Sequence, residues 1–101
     1  MSRISRRECL IIGLKSEEID LVVDDLNAFL KETSLPEGYT VSVHKDSVAC
    51  CGIFPLGIVV EIEGFDERVI ENLDQRLYAK IIEICEQRGI EHHKCEPIKI
   101  V

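Results

Sequence analysis

Two segments of helical periodicity, each flanked by strand-like segments, constrain the fold of this 101-residue chain more than any other feature. In both segments the apolar residues recur every three or four positions, which is the pattern of a helix with one buried face. Ser16 and Asp66 are good N-cap residues before these segments, and Gly89 is typical of the position after a helix. The first stripe contains Ile19, Val22, Val23, Leu26, Phe29 and Leu30. The second contains Ile70, Leu73, Leu77, Ile81, Ile84 and Cys85.

Four further segments have strand character. Residues 9–14 form a continuous apolar run, which suits a central strand covered on both faces. Residues 39–44 and 58–63 alternate between apolar and polar positions, as half-buried strands do. Residues 92–101 form the last strand, where Pro97 predicts a sheet edge or a bulge because proline cannot donate a backbone hydrogen bond.

The resulting order, strand-helix-strand-strand-helix-strand, predicts an α+β ferredoxin-like βαββαβ two-layer sandwich. In that fold a four-stranded antiparallel sheet has the strand order 4-1-3-2, and two helices cover one of its faces. We expect a single domain over residues 1–101, in which residues 1–7 are a basic, flexible N-terminal extension. Because this architecture hosts many unrelated functions, it does not define an activity.

The charge of the chain excludes some classes of partner. It carries 19 acidic and 12 basic residues, a net charge of −7. Since contact with phosphates requires Lys and Arg, we expect no nucleic-acid binding. The sequence contains neither a membrane-length apolar run nor a recognisable secretory signal, so we expect no membrane contact and a cytoplasmic location. Five cysteines in that compartment predict reduced thiols rather than a disulfide framework.

Cysteine and histidine residues that are distant in sequence converge at one end of the predicted sandwich. The long hairpin loop carries Cys50 and Cys51, while His93 and Cys95 share one face of the last strand. Thiolate and imidazole are the ligands that zinc prefers, so these four residues form a candidate zinc site, although they lack the spacing of a typical zinc knuckle. Cys9 is expected at the opposite end and is excluded from the site.

The same residues allow other interpretations. Cys50 and Cys51 are also candidates for thiol redox chemistry, or for nucleophilic catalysis with activation by His92 or His93. No family signature surrounds them, and no evident Asn or Asp orients the histidines. In the plainest interpretation Cys51 is a small buried hydrophobic residue, Cys50 is a free thiol and the histidines are solvated.

The face of the sheet that the helices leave open predicts self-association. An exposed apolar sheet centre usually contacts a partner or a second copy of the chain, so we expect a homo-oligomer, with a homodimer as the simplest form. The chain is therefore interpreted as a small non-enzymatic binding, carrier or regulatory module whose small-molecule or protein partner the sequence does not identify. The alternative is a metal-binding or thiol-redox protein that uses the hairpin-loop end. The central residues expected on the open face are Ile11, Gly13, Val59 and Cys95, with Ser42, His44, Glu61 and Glu63 further out.

Overall fold

The strands and helices follow one another in the predicted order, except that the last strand is divided in two. The computed structural model describes residues 2–11, 16–47, 56–90 and 93–101, and of His93 it describes the backbone alone. The elements are β1 (Arg3–Ile11), α1 (Ser16–Glu32), β2 (Thr40–Ser47), β3 (Leu56–Gly64), α2 (Glu67–Gln87), β4 (His93–Cys95) and β5 (Lys99–Ile100).

The strands form one antiparallel sheet in the order β2-β3-β1-β4, and β5 also pairs with β1. β1 and β3 pair over almost their whole length, from Arg3 opposite Gly64 to Leu10 opposite Gly57. β2 pairs with the other edge of β3, from Thr40 opposite Glu63 onward. The predicted α+β class and the order 4-1-3-2 are therefore confirmed.

Both helices contact each other and β3, and the core lies between them and the sheet. The two predicted helical stripes supply most of this core, because their spacing places every third or fourth side chain on one face. Within the described part of the chain, no helix is long and apolar enough to span a bilayer. The fully buried core side chains of the helices are Ile19, Val22, Leu26, Ile70, Ile81, Ile84 and Cys85, against Ile58, Val60 and Ile62 of β3.

Residues 3–7 are the first half of β1, so the expectation of a flexible N-terminal extension is wrong for this segment. Ser5 is 1% exposed, and its side chain faces the core. The arginines around it are not free in solvent: Arg3 pairs with Glu67 at 2.6 Å, and Arg6 and Arg7 also contact carboxylates. The basic composition alone predicts an unfolded segment, but alternation across a strand gives each arginine an acidic neighbour.

Pro97 separates β4 from β5 at the edge of the sheet, as the sequence predicted. Proline has no backbone N–H to donate, so the pairing with β1 stops at Cys95 and resumes at Lys99. Between these two points the Glu96 N–H donates to the Glu8 carbonyl at 2.9 Å. The edge of the sheet is consequently made of two short strands.

Candidate functional site

Only part of the predicted zinc site lies within the described residues. Cys50 and Cys51 lie outside them, and so does the side chain of His93. Within residues 2–11, 16–47, 56–90 and 94–101, no three His, Cys, Asp or Glu side chains form a group that could hold a metal ion. The zinc site at Cys50, Cys51, His93 and Cys95 stays a prediction.

Cys95 forms a disulfide with Cys9. The two residues are directly opposite each other in the β1–β4 register, and the Cys9 side chain is fully buried in the core. In this oxidised state the Cys95 sulfur is not a thiolate, and a thiolate is what zinc would require. The expectation that all the cysteines are thiols is wrong for this pair.

The position of Cys9 was mispredicted because the first strand begins earlier than expected. A strand starting at residue 9 would place Cys9 at its beginning, far from the last strand's first residues. Since β1 starts at Arg3, Cys9 instead lies near the end of β1, where β4 begins. The signal that would have located it is the antiparallel pairing of the first and last strands in this fold, which joins the end of one to the start of the other.

Cys85 is the free cysteine among the described residues, and it lies near the end of α2, in the predicted apolar stripe. Its side chain is fully buried, and desolvation raises the pKa of the thiol. Since the thiolate is the reactive species, this cysteine is a packing residue and a poor nucleophile.

A buried ion pair connects β1 to α2. The Arg7 guanidinium donates to both carboxylate oxygens of Asp74, at 3.0 Å from Nε and 2.6 Å from Nη2, and Nη1 donates to the Glu96 carbonyl at 3.1 Å. The guanidinium also lies over the Tyr78 ring, 4.5 Å from its centroid. The hydrogen bond to Asp74 is the main cause of the raised pKa of Arg7, with desolvation acting against it. This arrangement joins the sheet edge to the helix layer.

Sequence reasoning missed this pair, although a signal for it was present. Asp74 follows Leu73 within the apolar stripe of α2, on the face that the helix buries, and its residue exposure is only 2%. A carboxylate in such a position is almost always paired. The sequence does not identify the partner, because its basic composition places Arg7 in an extension.

The open face of the sheet carries charged side chains rather than the predicted apolar centre. The Arg6 guanidinium contacts the carboxylates of Glu8 at 2.9 Å and Glu61 at 3.6 Å. His44 lies 3.8 Å from Glu61 and 3.7 Å from Asp46. These charges occupy neighbouring positions on β1, β2 and β3, so most of the face is polar.

Two of the residues expected at the open face lie on the helix side instead. The first is Ile11, which belongs to the core. The second is Cys95, which lies on the same face as its cross-strand partner Cys9, a core residue. Gly13 lies outside the described residues. Val59 does belong to the open face, but its side chain is fully buried. Its partners on the neighbouring strands are Glu8 and His44. The premise of an exposed apolar centre is therefore wrong.

Comparisons with known proteins give a fold and no family. No protein-family model and no curated protein matches the sequence. Among solved structures, the chain is similar to the de novo designed protein Foldit4, with 18% identity over 99% of this chain and 94% of that chain, and a TM-score of 0.56. At that identity the likeness shows the fold alone.

Two weaker similarities carry no argument about this chain. One is to a protein described as an amidohydrolase/peptidase from Burkholderia cenocepacia, with 11% identity, coverage of 99% and 27% of the two chains, and a TM-score of 0.49. The other is to a phage SAM lyase in the apo state, with 14% identity, coverage of 99% and 87%, and a TM-score of 0.37.

Proposed function

We propose that this chain is a small non-enzymatic binding module of ferredoxin-like architecture that works as a homodimer through the open face of its sheet. Support comes from one observation, the distribution of charge across that face. The contact is expected to be polar, because the side chains on this face are mainly charged. This replaces the apolar contact that the sequence suggested.

The two edges of the open face differ in charge, although Lys94 also contacts Glu96 at 3.9 Å and the central strand carries the Arg6–Glu8 pair. Lys94 and Lys99 lie on β4 and β5, at the edge of the sheet. Glu61, Glu63 and Asp46 lie on β3 and β2, towards the other edge. A surface with separated charges is complementary to a second copy of itself if a two-fold rotation brings unlike halves together.

A two-fold axis parallel to the strands, between two stacked sheets, satisfies this condition. Such a rotation exchanges the β4 edge for the β2 edge and keeps each residue at its level along the strands. One row across the four strands lies at the same height along the strand direction, because each of its residues is opposite the next in the register. This row is Asp46, Gly57, Leu10 and Lys94. Lys94 would therefore face Asp46 of the partner subunit, and the exposed fractions of these two side chains, 74% and 52%, leave both accessible.

The Lys94→Glu variant tests this dimer. We expect it to weaken dimerisation by about tenfold or more, because two symmetry-related contacts would each place like charges together. Adding Asp46→Lys to the same chain exchanges the two charges and is expected to restore the dimer. The measurement is the dimer dissociation constant from sedimentation equilibrium, at low and at high salt.

Lys31→Glu provides the matched control, because it makes the same change of net charge on an exposed side chain in the last turn of α1. It should leave the dissociation constant unchanged. A wild-type chain that stays monomeric at millimolar concentration would overturn the proposal, as would a dimer that responds equally to Lys94→Glu and Lys31→Glu.

The Cys9–Cys95 disulfide favours a second candidate function, that of a thiol-redox protein. Cys95 is partly exposed whereas Cys9 is buried, so an external thiolate would attack the Cys95 sulfur. That attack forms a mixed disulfide and releases the Cys9 thiolate. A second external thiol then completes the reduction, giving two protein thiols and one small-molecule disulfide.

Equilibration with glutathione tests the redox candidate. The Cys50→Ser/Cys51→Ser variant keeps the Cys9–Cys95 pair and removes two other cysteines from the readout. A redox function predicts that this pair equilibrates with a glutathione buffer in the folded protein, as followed by alkylation and mass spectrometry. A pair that is reduced only after unfolding would leave the disulfide with a structural role alone.

A further inference from the structure

We infer that the groove between α2 and the segment that follows α1 binds a small linear organic molecule with an anionic group at each end and an apolar middle. The groove has a volume of about 330 Å³. It lies in the helix layer, on the side of the sheet opposite the open face. The inference therefore goes beyond the proposed dimer and does not depend on it.

The polar wall of the groove is one face of α2. Arg68, Asn72 and Arg76 are spaced by four residues, so their side chains lie in a row along the helix. The two arginines are about 12 Å apart along the helix axis, from the helical rise per residue. Asn72 lies between them and can donate or accept a hydrogen bond.

The two guanidinium groups stand apart from the other arginines of the chain. Arg3, Arg6, Arg7 and Arg88 all form ion pairs with carboxylates. Among the described residues, neither Arg68 nor Arg76 has a side-chain hydrogen bond or an ion pair. In a chain with an excess of acidic residues, two unpaired guanidinium groups on one groove wall can both receive anionic groups from a ligand.

The rest of the groove is suited to an uncharged chain of carbon atoms. Pro36, Val69 and Leu73 line it together with Ser34, and Leu73 also lines an adjoining apolar cleft between the two helices. The N-terminus of α2 does not supply the site, because the Asp66 carboxylate already accepts the Arg68 N–H at 2.9 Å. The anion-binding groups are thus the two guanidinium groups, and the surface between them is largely apolar.

A series of linear dicarboxylates, from succinate through suberate to dodecanedioate, tests the inference. We expect saturable changes in the amide signals of residues 67–76 in a two-dimensional NMR titration. Binding should be strongest for members of intermediate length, near suberate and sebacate, because each carboxylate must reach one arginine. The matching monocarboxylates should bind roughly tenfold more weakly, since they satisfy one guanidinium only. A parallel titration with terminal bisphosphates shows which anionic group is preferred.

Variants of the two arginines complete the test. Arg68→Gln and Arg76→Gln should each weaken binding of the best dicarboxylate by roughly tenfold, and the double variant should abolish it. Lys31→Gln removes one positive charge from an exposed position on α1 and should have no effect. The inference is overturned if no member binds saturably up to about 10 mM. It is also overturned if monocarboxylates bind equally well, or if the double variant binds like the wild type.

Discussion

Loss of the Cys9–Cys95 disulfide is expected to lower the free energy of unfolding by about 4 kcal/mol. The two cysteines are 86 positions apart, so the crosslink closes almost the entire chain into one loop and removes much of the conformational freedom of the unfolded state. The edge strands it holds are short: β4 and β5 contribute three and two paired positions to the sheet. The disulfide is therefore the strongest single attachment of the C-terminal residues.

Urea unfolding of Cys95→Ala, compared with the oxidised wild type, measures this effect. This variant leaves Cys9 in place as a small buried thiol, so the core keeps its volume. Cys85→Ala is the control for the removal of a cysteine side chain, and its expected cost is about 1 kcal/mol from a small cavity. Equal stabilities for Cys95→Ala and the oxidised wild type would contradict the prediction.

Removal of the Asp74 carboxylate is expected to cost about 3–5 kcal/mol, because it leaves the Arg7 guanidinium without its charge partner. The exposed fractions of the two side chains are 13% for Arg7 and 3% for Asp74, so water cannot readily replace the lost contact. The variant is Asp74→Ala, measured by urea unfolding at neutral pH. Glu71→Ala, at an exposed position on the same helix, should change the stability by less than about 0.5 kcal/mol.

A double variant separates the unpaired charge from the loss of packing. Arg7→Met in the Asp74→Ala background removes the buried charge and keeps much of the apolar length of the arginine. It is expected to be more stable than Asp74→Ala alone, because an apolar side chain can replace a buried ion without an uncompensated charge. If Arg7→Met lowers the stability of that background further, the guanidinium contributes mainly through Tyr78 and the Glu96 carbonyl.

The fold could be predicted from the sequence in the segments whose apolar residues recur at a regular interval. The stripe from Ile19 to Leu30 and the alternation in residues 58–63 each place apolar side chains on one face, and both segments form the elements they predicted. The capping role of Asp66 was also predictable, because its carboxylate accepts a hydrogen bond from the start of α2. These features depend on neighbours within a few positions along the chain.

The candidate sites could be predicted from the sequence far less well. The zinc hypothesis grouped cysteines by their end of the fold, and an error in the start of β1 moved Cys9 away from Cys95. The expectation of an apolar open face has another cause: residues 9–14 are apolar throughout, so their pattern does not show which of two alternating sets faces the core, and Ile11 is assigned to the wrong face. In a strand, neighbouring residues lie on opposite faces, so one residue assigned to the wrong face reverses every conclusion about what that face presents.

The sequence by itself determined the order of the elements and the buried faces of both helices, since these depend on local periodicity and capping. Only the tertiary structure decided which distant side chains meet: Cys9 with Cys95, Arg7 with Asp74, and the charged residues across the open face. It also revealed that Arg68 and Arg76 line a groove without carboxylate partners among the described residues. The physical reason is that strand register and helix docking bring together residues that no local pattern relates, and both depend on the packing of the whole domain.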